Sequence, residues 1–415
     1  MERPLYLDRL IRKERNGLIK VITGLRRSGK TYLLFNLFFN HLRRRDVRED
    51  HIIKIALDNR QNRHLRDPDV LYAHVTSQLK DQETYYLLLD EVQFVPEFEE
   101  VLNSFLHCSN VDVYVTGSNA KFLSTDVITQ FRGRGDQIRL QPLTFGEFMS
   151  VYSGEVRQGW EEYTLYGGLP QLLTFVERSD KMEYLKGIVT ETYLKDILER
   201  NGVRHPEELT ELLEYLASAI GGFTSAKKLA DTFHSVKGLS LHQETVAAYL
   251  SHFEDSFLVS RAKRYDVKGR RYISTPAKFY FSDVGLRNAV LNFRQYEETH
   301  LLENIIYNEL LSRGYAVDVG MVERTASTAE GRRIKSRLEV DFVCNLASKR
   351  LYVQSALALP DRDKEAQEQS SLLQIRDAFK KIIIAKDVPT HYNEQGILIL
   401  NLFDFLLRQD ALEAF

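Results

Sequence analysis

The sequence predicts an α/β protein in four parts: a parallel sheet covered by helices over 1–150, a helical segment over 151–205, three helices with a β-hairpin over 206–291, and a second α/β block over 292–415. Three observations predict it. Up to about residue 148, short apolar runs alternate with amphipathic stretches, the pattern of parallel strands buried on both faces. From 206 the rhythm changes to three helical periods and two strand-like runs, and from 292 the α/β alternation returns. At 415 residues the chain exceeds one ordinary core, so several domains are expected.

Composition narrows the class. With 43% hydrophobic and 27% charged residues the chain can bury cores and is not of the disordered type. Cys108 and Cys344 are too few for a disulfide framework, which points to a reducing cytoplasm. The opening Met1-Glu-Arg-Pro-Leu-Tyr-Leu-Asp-Arg carries charges where a signal peptide needs an apolar core, and no apolar run is long enough to span a bilayer. A net charge of −2 gives no global attraction to nucleic acid, so any such contact must come from a local patch.

In the first part, 19–23, 52–57, 85–89, 111–116 and 137–140 read as strands, with helices over 32–42 and 70–80. Between the first strand and the first of these helices stands Gly24-Leu-Arg-Arg-Ser-Gly-Lys-Thr31, which fits G-x-x-x-x-G-K-[ST]. The glycines Gly24 and Gly29 let backbone N–H groups wrap a phosphate at a helix N-terminus, where the macrodipole also favours an anion. Lys30 would bridge β- and γ-phosphates and Thr31 would offer its hydroxyl to Mg²⁺. Arg27, Ser28 and Tyr32 complete the residues expected around the nucleotide, although Arg26 and Arg27 read equally well as facing solvent or another molecule. Sixty residues after Lys30, the apolar strand Tyr85-Tyr-Leu-Leu-Leu ends in Asp90-Glu91. That places Asp90 at the carboxyl edge of the sheet, where it would hold Mg²⁺, with Glu91 as the general base for an attacking water. The strand 111–116 ends in Thr116-Gly-Ser-Asn119, where Ser118 and Asn119 are either γ-phosphate contacts or an ordinary strand ending. Phe131-Arg-Gly-Arg134 offers Arg132 and Arg134 as charge-neutralising groups, from the same subunit or a neighbour, or as plain surface arginines.

The run of 24–31, 88–92, 116–120, Arg132-Gly-Arg134, Gln141-Pro-Leu-Thr-Phe-Gly-Glu-Phe148 and Gly167-Gly-Leu-Pro170 resembles a large family of uncharacterised prokaryotic AAA-type ATPases, related to the STAND NTPases. Members of that family carry a C-terminal domain of unknown function. The resemblance implies a P-loop NTPase sheet with one extra strand between those of Lys30 and Asp90, and a helical lid after it. It supports Asp90 and Glu91 in their roles, adds Ser118, Asn119 and Arg134 on the γ-phosphate side, and puts Gly168 and Pro170 near the base. It also implies ATP as the nucleotide, a preference that the phosphate loop alone does not supply.

The block 206–291 has the element order of a winged helix-turn-helix, with helices over 207–220, 225–233 and 242–253 and strands over 258–265 and 271–281. Seven basic residues (Arg261, Lys263, Arg264, Lys268, Arg270, Arg271, Lys278) face one acid, Asp266, across 261–278. Lys263, Arg264, Lys268, Arg270 and Arg271 are the candidates for phosphate-backbone contact with double-stranded DNA. The expected recognition helix has no Arg or Lys, which favours a regulatory arm instead.

The last block looks like a PD-(D/E)xK, restriction-endonuclease-like α/β domain, with a helix over 298–313, strands over 316–319, 338–344, 350–357, 381–385 and 397–400, a helix over 364–379 and a loop-like stretch over 323–335. Glu309, Asp341 and Gln354 fall where a metal-binding site of that type would lie. Gln354 stands in place of an acid and Ala356 in place of the lysine, so the site is degenerate and cleavage is not expected. The eleven histidines show no metal-ligand spacing with a cysteine and read as core or surface residues. The expectation is a cytoplasmic ATPase that uses ATP and Mg²⁺ to drive a conformational switch. It acts on double-stranded DNA, or through a protein partner or self-association, without a membrane; a Mg²⁺-dependent nuclease is the remaining alternative.

Overall fold

The computed structural model describes residues 1–117, 131, 133–237, 241–327 and 333–414. Two compact units are present: Met1–Pro142 with Asp255–Phe257, and Leu143–Glu254 with Leu258–Phe415.

The first unit is built on five parallel strands, β1 (Ile19–Gly24), β2 (Ile52–Ala56), β3 (Tyr85–Asp90), β4 (Val111–Thr116) and β5 (Gly135–Leu140), in the order β2-β3-β4-β1-β5. Strand β4 therefore lies between the strand that feeds the phosphate loop and the strand that ends in Asp90, as the resemblance implied. Both faces are buried, and the period of two sorts the side chains. Ile19, Val21, Leu87, Leu89, Val113 and Val115 pack with Leu71, Val75, Phe98, Leu102 and Phe105 from helices Pro68–Thr76 and Phe98–Phe105. Ile22, Leu88 and Tyr114 pack on the other face with Tyr6, Leu10, Leu33, Leu34, Phe38 and Leu42. These come from helix Pro4–Arg12 and from the helix that follows the phosphate loop. Each such side chain contributes about 1.5–3 kcal/mol when fully buried, so the two layers fix the sheet on which the site stands. The post-loop helix runs over 30–44 and widens to π pitch over Leu33–Phe38, which the apolar periodicity did not foretell.

The second unit opens with Phe145–Met149, a helix closed by a reciprocal capping box: Glu147 N–H donates to Thr144 Oγ1 and Thr144 N–H to Glu147 Oε2. The Pro-Leu-Thr-Phe-Gly-Glu-Phe run is thus a cap plus two buried anchors, Phe145 and Phe148. Helices Val156–Tyr166, Arg178–Gly187 and Lys195–Asn201 follow, then Pro206–Ser218, Ala226–Lys237 and Gln243–Asp255. Strands β6 (Val259–Asp266) and β7 (Arg271–Phe281) form the expected hairpin, but it is no free wing. Strand β6 also pairs in parallel with β8 (Ala316–Ser327), so the hairpin is the edge of an eight-stranded mixed sheet. That sheet continues through β9 (Arg333–Leu346), β10 (Lys349–Ala356), β11 (Lys380–Ala385), β13 (Leu398–Asn401) and β12 (His391–Tyr392). The boundaries drawn at 205 and 291 fall inside one compact unit.

Two elements differ from expectation. The polar stretch over 323–335 is largely a ladder, with Glu323 opposite Arg337 and Ser327 opposite Arg333. Glu323, Arg324, Lys335, Ser336 and Arg337 are all exposed, and a strand that buries neither face needs no apolar alternation. The helix expected over 364–379 is Arg362–Leu372, begun by the Asp361 cap on Lys364 N–H. It stops before Asp377, whose carboxylate accepts from Tyr352 Oη at 2.6 Å and from Phe379 N–H.

Candidate nucleotide site

The phosphate loop leaves β1 at Gly24 and enters its helix at Gly29, which takes a left-handed conformation (φ 96°) that a side chain disfavours. Gly24 is fixed by packing: a Cβ there would lie 2.1 Å from the Leu140 carbonyl oxygen on β5. Lys30 is only 5% exposed, and its ammonium donates to the carbonyls of Gly24 and Leu25, both at 3.1 Å. Burial lowers its pKa to about 8, against the opposing pull of Glu91 and Asp90. Ser28 is fully buried, and its hydroxyl is one of the side-chain groups that lack a hydrogen-bond partner among the described residues. The first N–H groups of the helix have no intrahelical acceptor. Arg27 (φ 65°), Thr31 and Tyr32 are exposed on the same loop and helix start.

The carboxyl ends of β3 and β4 complete the arrangement. Thr31 Oγ1 donates to Asp90 Oδ2 at 2.9 Å, joining the loop to the buried acid. Thr116 Oγ1 donates to the other oxygen of Asp90 at 2.5 Å and accepts the Glu91 N–H at 2.9 Å. Burial raises the Asp90 pKa, and the Thr116 and Thr31 hydroxyls oppose that shift. Glu91 sits in the left-handed region (φ 53°), a conformation that costs a non-glycine residue about 1 kcal/mol or more. Its carboxylate accepts a hydrogen bond from the Gln93 amide. Lys30, Thr31, Asp90 and Glu91 are thus brought together as expected.

Thr116 was missed as a site residue. The only signal was its place at the end of the strand next to β3. Arg3 was missed as well: it is 2% exposed and donates to the carbonyls of Ser28, Gln141 and Pro142.

Other expectations fare differently. Ser118, Asn119 and Arg132 lie outside the described residues. Arg134 is exposed just before Gly135, which pairs with Ile19 at the amino end of β1. The phosphate loop leaves the opposite end, five residue steps or about 17 Å along the strand. Arg134 therefore cannot reach the phosphates of its own loop. Gly168 and Pro170 belong to the second unit. There the Gly168 N–H donates to the buried Asp283 carboxylate at 2.7 Å, its carbonyl accepts from Leu143 N–H, and Pro170 opens a short 3₁₀ turn. Burial pushes the Asp283 carboxyl up to about 6, against three backbone N–H donors.

Of the basic hairpin residues, Lys263, Lys268, Arg270 and Arg271 are exposed and Arg264 is half-buried. Acids stand among them. Asp266 lies 3.4 Å from Arg271 Nε and lines one concavity with Arg264, Arg271, Glu323 and Arg337. Glu323 and Asp377 line a second with Lys268, Arg270 and Arg376. Lys278 does not belong to the patch, because it is buried.

Instead Lys278 lies among acids near Asp341. Its ammonium pairs with Glu303 at 2.9 Å and with Glu339, and Tyr280 Oη donates to the same Glu303 oxygen at 2.6 Å. Asp341 accepts from Ser355 N–H (2.8 Å), Ser355 Oγ (2.6 Å) and the Gln354 amide (3.0 Å). Burial, with the Glu303 charge second, pushes the Asp341 carboxyl up to about 7. Glu309 does not join Asp341 and Gln354; it binds Arg313 at 2.8 Å, and Arg313 in turn caps carbonyls of Arg408 and Gln409. Glu303 takes its place. Six residues turn a helix through about 240° net, so the two glutamates of helix Glu298–Ser312 face different sides. The cluster's carboxylates already hold protein donors and an internal cation, which argues against a metal centre there.

One group of described residues brings three metal-capable side chains together, His51, Asp81 and Glu83. Both acids are exposed, and Arg48 already lies 3.6 Å from Asp81. No helix among the described residues is long and apolar enough to cross a membrane.

Residues 16–149 match the AAA domain family, and residues 157–297 match a domain of unknown function (DUF8612). That second match follows the AAA domain and ends at residue 297. An uncharacterized protein of Haemophilus influenzae is 31% identical over 98% of this chain and 99% of its own length. The uncharacterized protein MJ1544 of Methanocaldococcus jannaschii is 26% identical over 91% of this chain and 83% of its own. Among solved structures, the ORC1 protein of Aeropyrum pernix in complex with DNA aligns over 70% of this chain and 92% of its own, at 14% identity and a TM-score of 0.27, a level that carries no functional information. By its full-length match the chain belongs to one family with the Haemophilus influenzae protein, and its residues 16–149 are an AAA domain.

Proposed function

We propose that the chain binds ATP with Mg²⁺ on its phosphate loop and hydrolyses it to drive a conformational switch in which the second unit is the responding arm. The observation that carries this reading is the hydrogen-bonded line Thr31–Asp90–Thr116–Glu91 beside a buried, loop-bound Lys30. Lys30 would exchange the Gly24 and Leu25 carbonyls for β- and γ-phosphate oxygens. Thr31 and Asp90 are the oxygen donors that would hold Mg²⁺, whose chemistry is to neutralise charge on the phosphates. Glu91 would take a proton from a water whose oxygen bonds the γ-phosphorus as the bond to the ADP oxygen breaks. Ser118 and Asn119 would touch the γ-phosphate side, as in the family it resembles. The charge-neutralising arginine would come in trans, with Arg134 of one copy serving the loop of another, because its place at the amino edge rules out its own site. The C-terminal block is read as a degenerate nuclease-like domain kept for packing or binding, and 206–291 as a winged helix.

Phosphate release from ATP·Mg²⁺ tests the reading, with wild type set against Lys30→Ala and Glu91→Gln, each with and without duplex DNA. Turnover that both variants lose is the expected result, with Glu91→Gln still binding ATP and losing about 10²–10⁴-fold in rate. Turnover that survives Lys30→Ala sinks it. Mixing Lys30→Ala with Arg134→Ala should restore part of the lost rate if the arginine acts in trans. Between the two downstream roles, the interleaved acids Asp266, Glu323 and Asp377 favour a protein partner or self-association over double-stranded DNA. DNA stimulation that falls when Lys268, Arg270 and Arg271 become glutamate would reverse that preference.

A further inference from the structure

We infer that Arg3 is a positioning residue of the phosphate loop, an inference that rests on the nucleotide-binding reading above. Arg3 precedes helix Pro4–Arg12, where Pro4 takes the first helical position and the Arg3 carbonyl accepts from Tyr6 and Leu7 N–H groups. Tyr6 and Leu10 bury the inner face of that helix, which sets the guanidinium within the fold. One Nη donates to the Ser28 carbonyl at 3.1 Å; the other donates to those of Gln141 at 2.9 Å and Pro142 at 3.3 Å. The plane is backed by the Tyr6 ring, 4.7 Å from the guanidinium carbon, and Tyr6 Oη accepts the Gln141 N–H.

Three features make this more than a structural tie. A phosphate loop binds through N–H groups that point inward, so the peptide ahead of Gly29 must turn its carbonyl away, and that carbonyl belongs to Ser28. Ser28 has its carbonyl held by Arg3 while its buried hydroxyl has no partner among the described residues. The clamp thus fixes the loop from behind and leaves the Ser28 hydroxyl for a ligand. The guanidinium fork also spans two segments, because 141–142 is the exit from β5, itself register-paired with β1 up to Gly24. A lysine can keep the charge and meet one carbonyl but cannot fork across three.

The test uses the full chain, with ADP and ATPγS titrated by calorimetry into wild type, Arg3→Lys, Arg3→Gln and Tyr6→Phe. Amide hydrogen exchange over 24–31 and the melting temperature are recorded for each. Arg3→Lys is expected to weaken nucleotide binding by about tenfold to a hundredfold, the loss given by hydrogen bonds from a charged donor. Exchange should rise within 24–31 and fall again with saturating ADP, while Tyr6→Phe leaves affinity within about threefold. If Arg3→Gln does not fold, the lysine variant carries the comparison. Undiminished affinity in a folded Arg3→Lys protein overturns the inference, as does a loss of melting temperature with no change in exchange over 24–31. Absence of nucleotide binding by wild type, matched by Lys30→Ala, overturns the nucleotide reading itself and is told apart by that control.

Discussion

Two buried lysines, Lys30 in the first unit and Lys278 in the second, are in opposite states; a third, Lys20, is paired with Asp112. Lys30 and Lys278 are 5% and 4% exposed. Burial lowers the pKa of Lys30 to about 8, and Glu91 and Asp90 offset only part of that. Burial pulls Lys278 down as well, but Glu303, Glu339 and Asp341 together outweigh it and hold the ammonium above its ordinary value. Lys30 has neutral carbonyls for partners, which an anionic ligand would outbid; Lys278 has carboxylates, which it would not leave. The difference teaches how to separate a site from a scaffold when both contain buried acids and a lysine. A charge held by provisional partners awaits a ligand, whereas a charge fully matched by the protein completes a core.

Exchanging each lysine for methionine would break or sharpen this contrast most sharply. Lys278→Met leaves Glu303 and Glu339 without their cation, and removing one partner of a buried pair costs about 3–5 kcal/mol. The chain's single tryptophan, Trp160, is buried in the second unit and reports its unfolding in urea by fluorescence. Lys30→Met removes a disfavoured ammonium, so circular dichroism should show an unfolding midpoint equal to wild type or higher, with nucleotide binding gone. Equal destabilisation by both changes would erase the distinction.

The same contrast explains what the sequence could disclose. The phosphate loop was legible because its eight residues are contiguous and its chemistry is local. Asp90 and Glu91 were legible because an apolar strand ends on them. Thr116 and Arg3 were not, since their meaning comes from partners 25 to 139 residues away. Glu303, which stands beside Asp341 where Glu309 was expected, was hidden for a different reason. Helix Glu298–Ser312 is buried on most sides, including Leu301, Leu302, Ile305, Ile306 and Leu310, so its periodicity shows no inner face by which to phase two glutamates. Lys278 stands within the basic run of the hairpin, but in β7 it is buried against Glu303 and Glu339 from other elements, which a local charge count does not record. Element order in both units was readable, but the parallel pairing of β6 with β8 joins residues more than fifty positions apart, and no local pattern records it.

A smaller effect is expected at Thr116, which belongs to the nucleotide side of the comparison. Thr116→Val keeps the shape and removes the hydroxyl that donates to Asp90 and accepts from the Glu91 N–H. Hydrogen bonds to a charged group contribute about 1.5–3 kcal/mol, so turnover should fall about tenfold to a hundredfold. Steady-state kinetics would place the loss in kcat more than in KM, because the strained Glu91 is held for the chemical step and not for binding. A pure KM effect would remove Thr116 from the catalytic line.

The last expected effect is a pH profile that the two lysines should not share. Without nucleotide, Lys30 gives up its proton near pH 8, while phosphate oxygens favour the ammonium. Binding above pH 8 must therefore take up a proton, and affinity should fall by up to about tenfold per pH unit there, while staying flat between pH 7 and 8. Lys30→Arg keeps its charge throughout this range, so whatever affinity it retains should lose the slope. Lys278, held above its ordinary value, should add no such transition to the Trp160 unfolding midpoint over the same interval. Calorimetric ADP titrations at pH 7.0 to 9.5 in buffers of different ionisation heat would count the protons directly. A wild-type profile flat to pH 9.5 would mean that Lys30 keeps its proton without a ligand, and the two lysines would then differ in their partners alone.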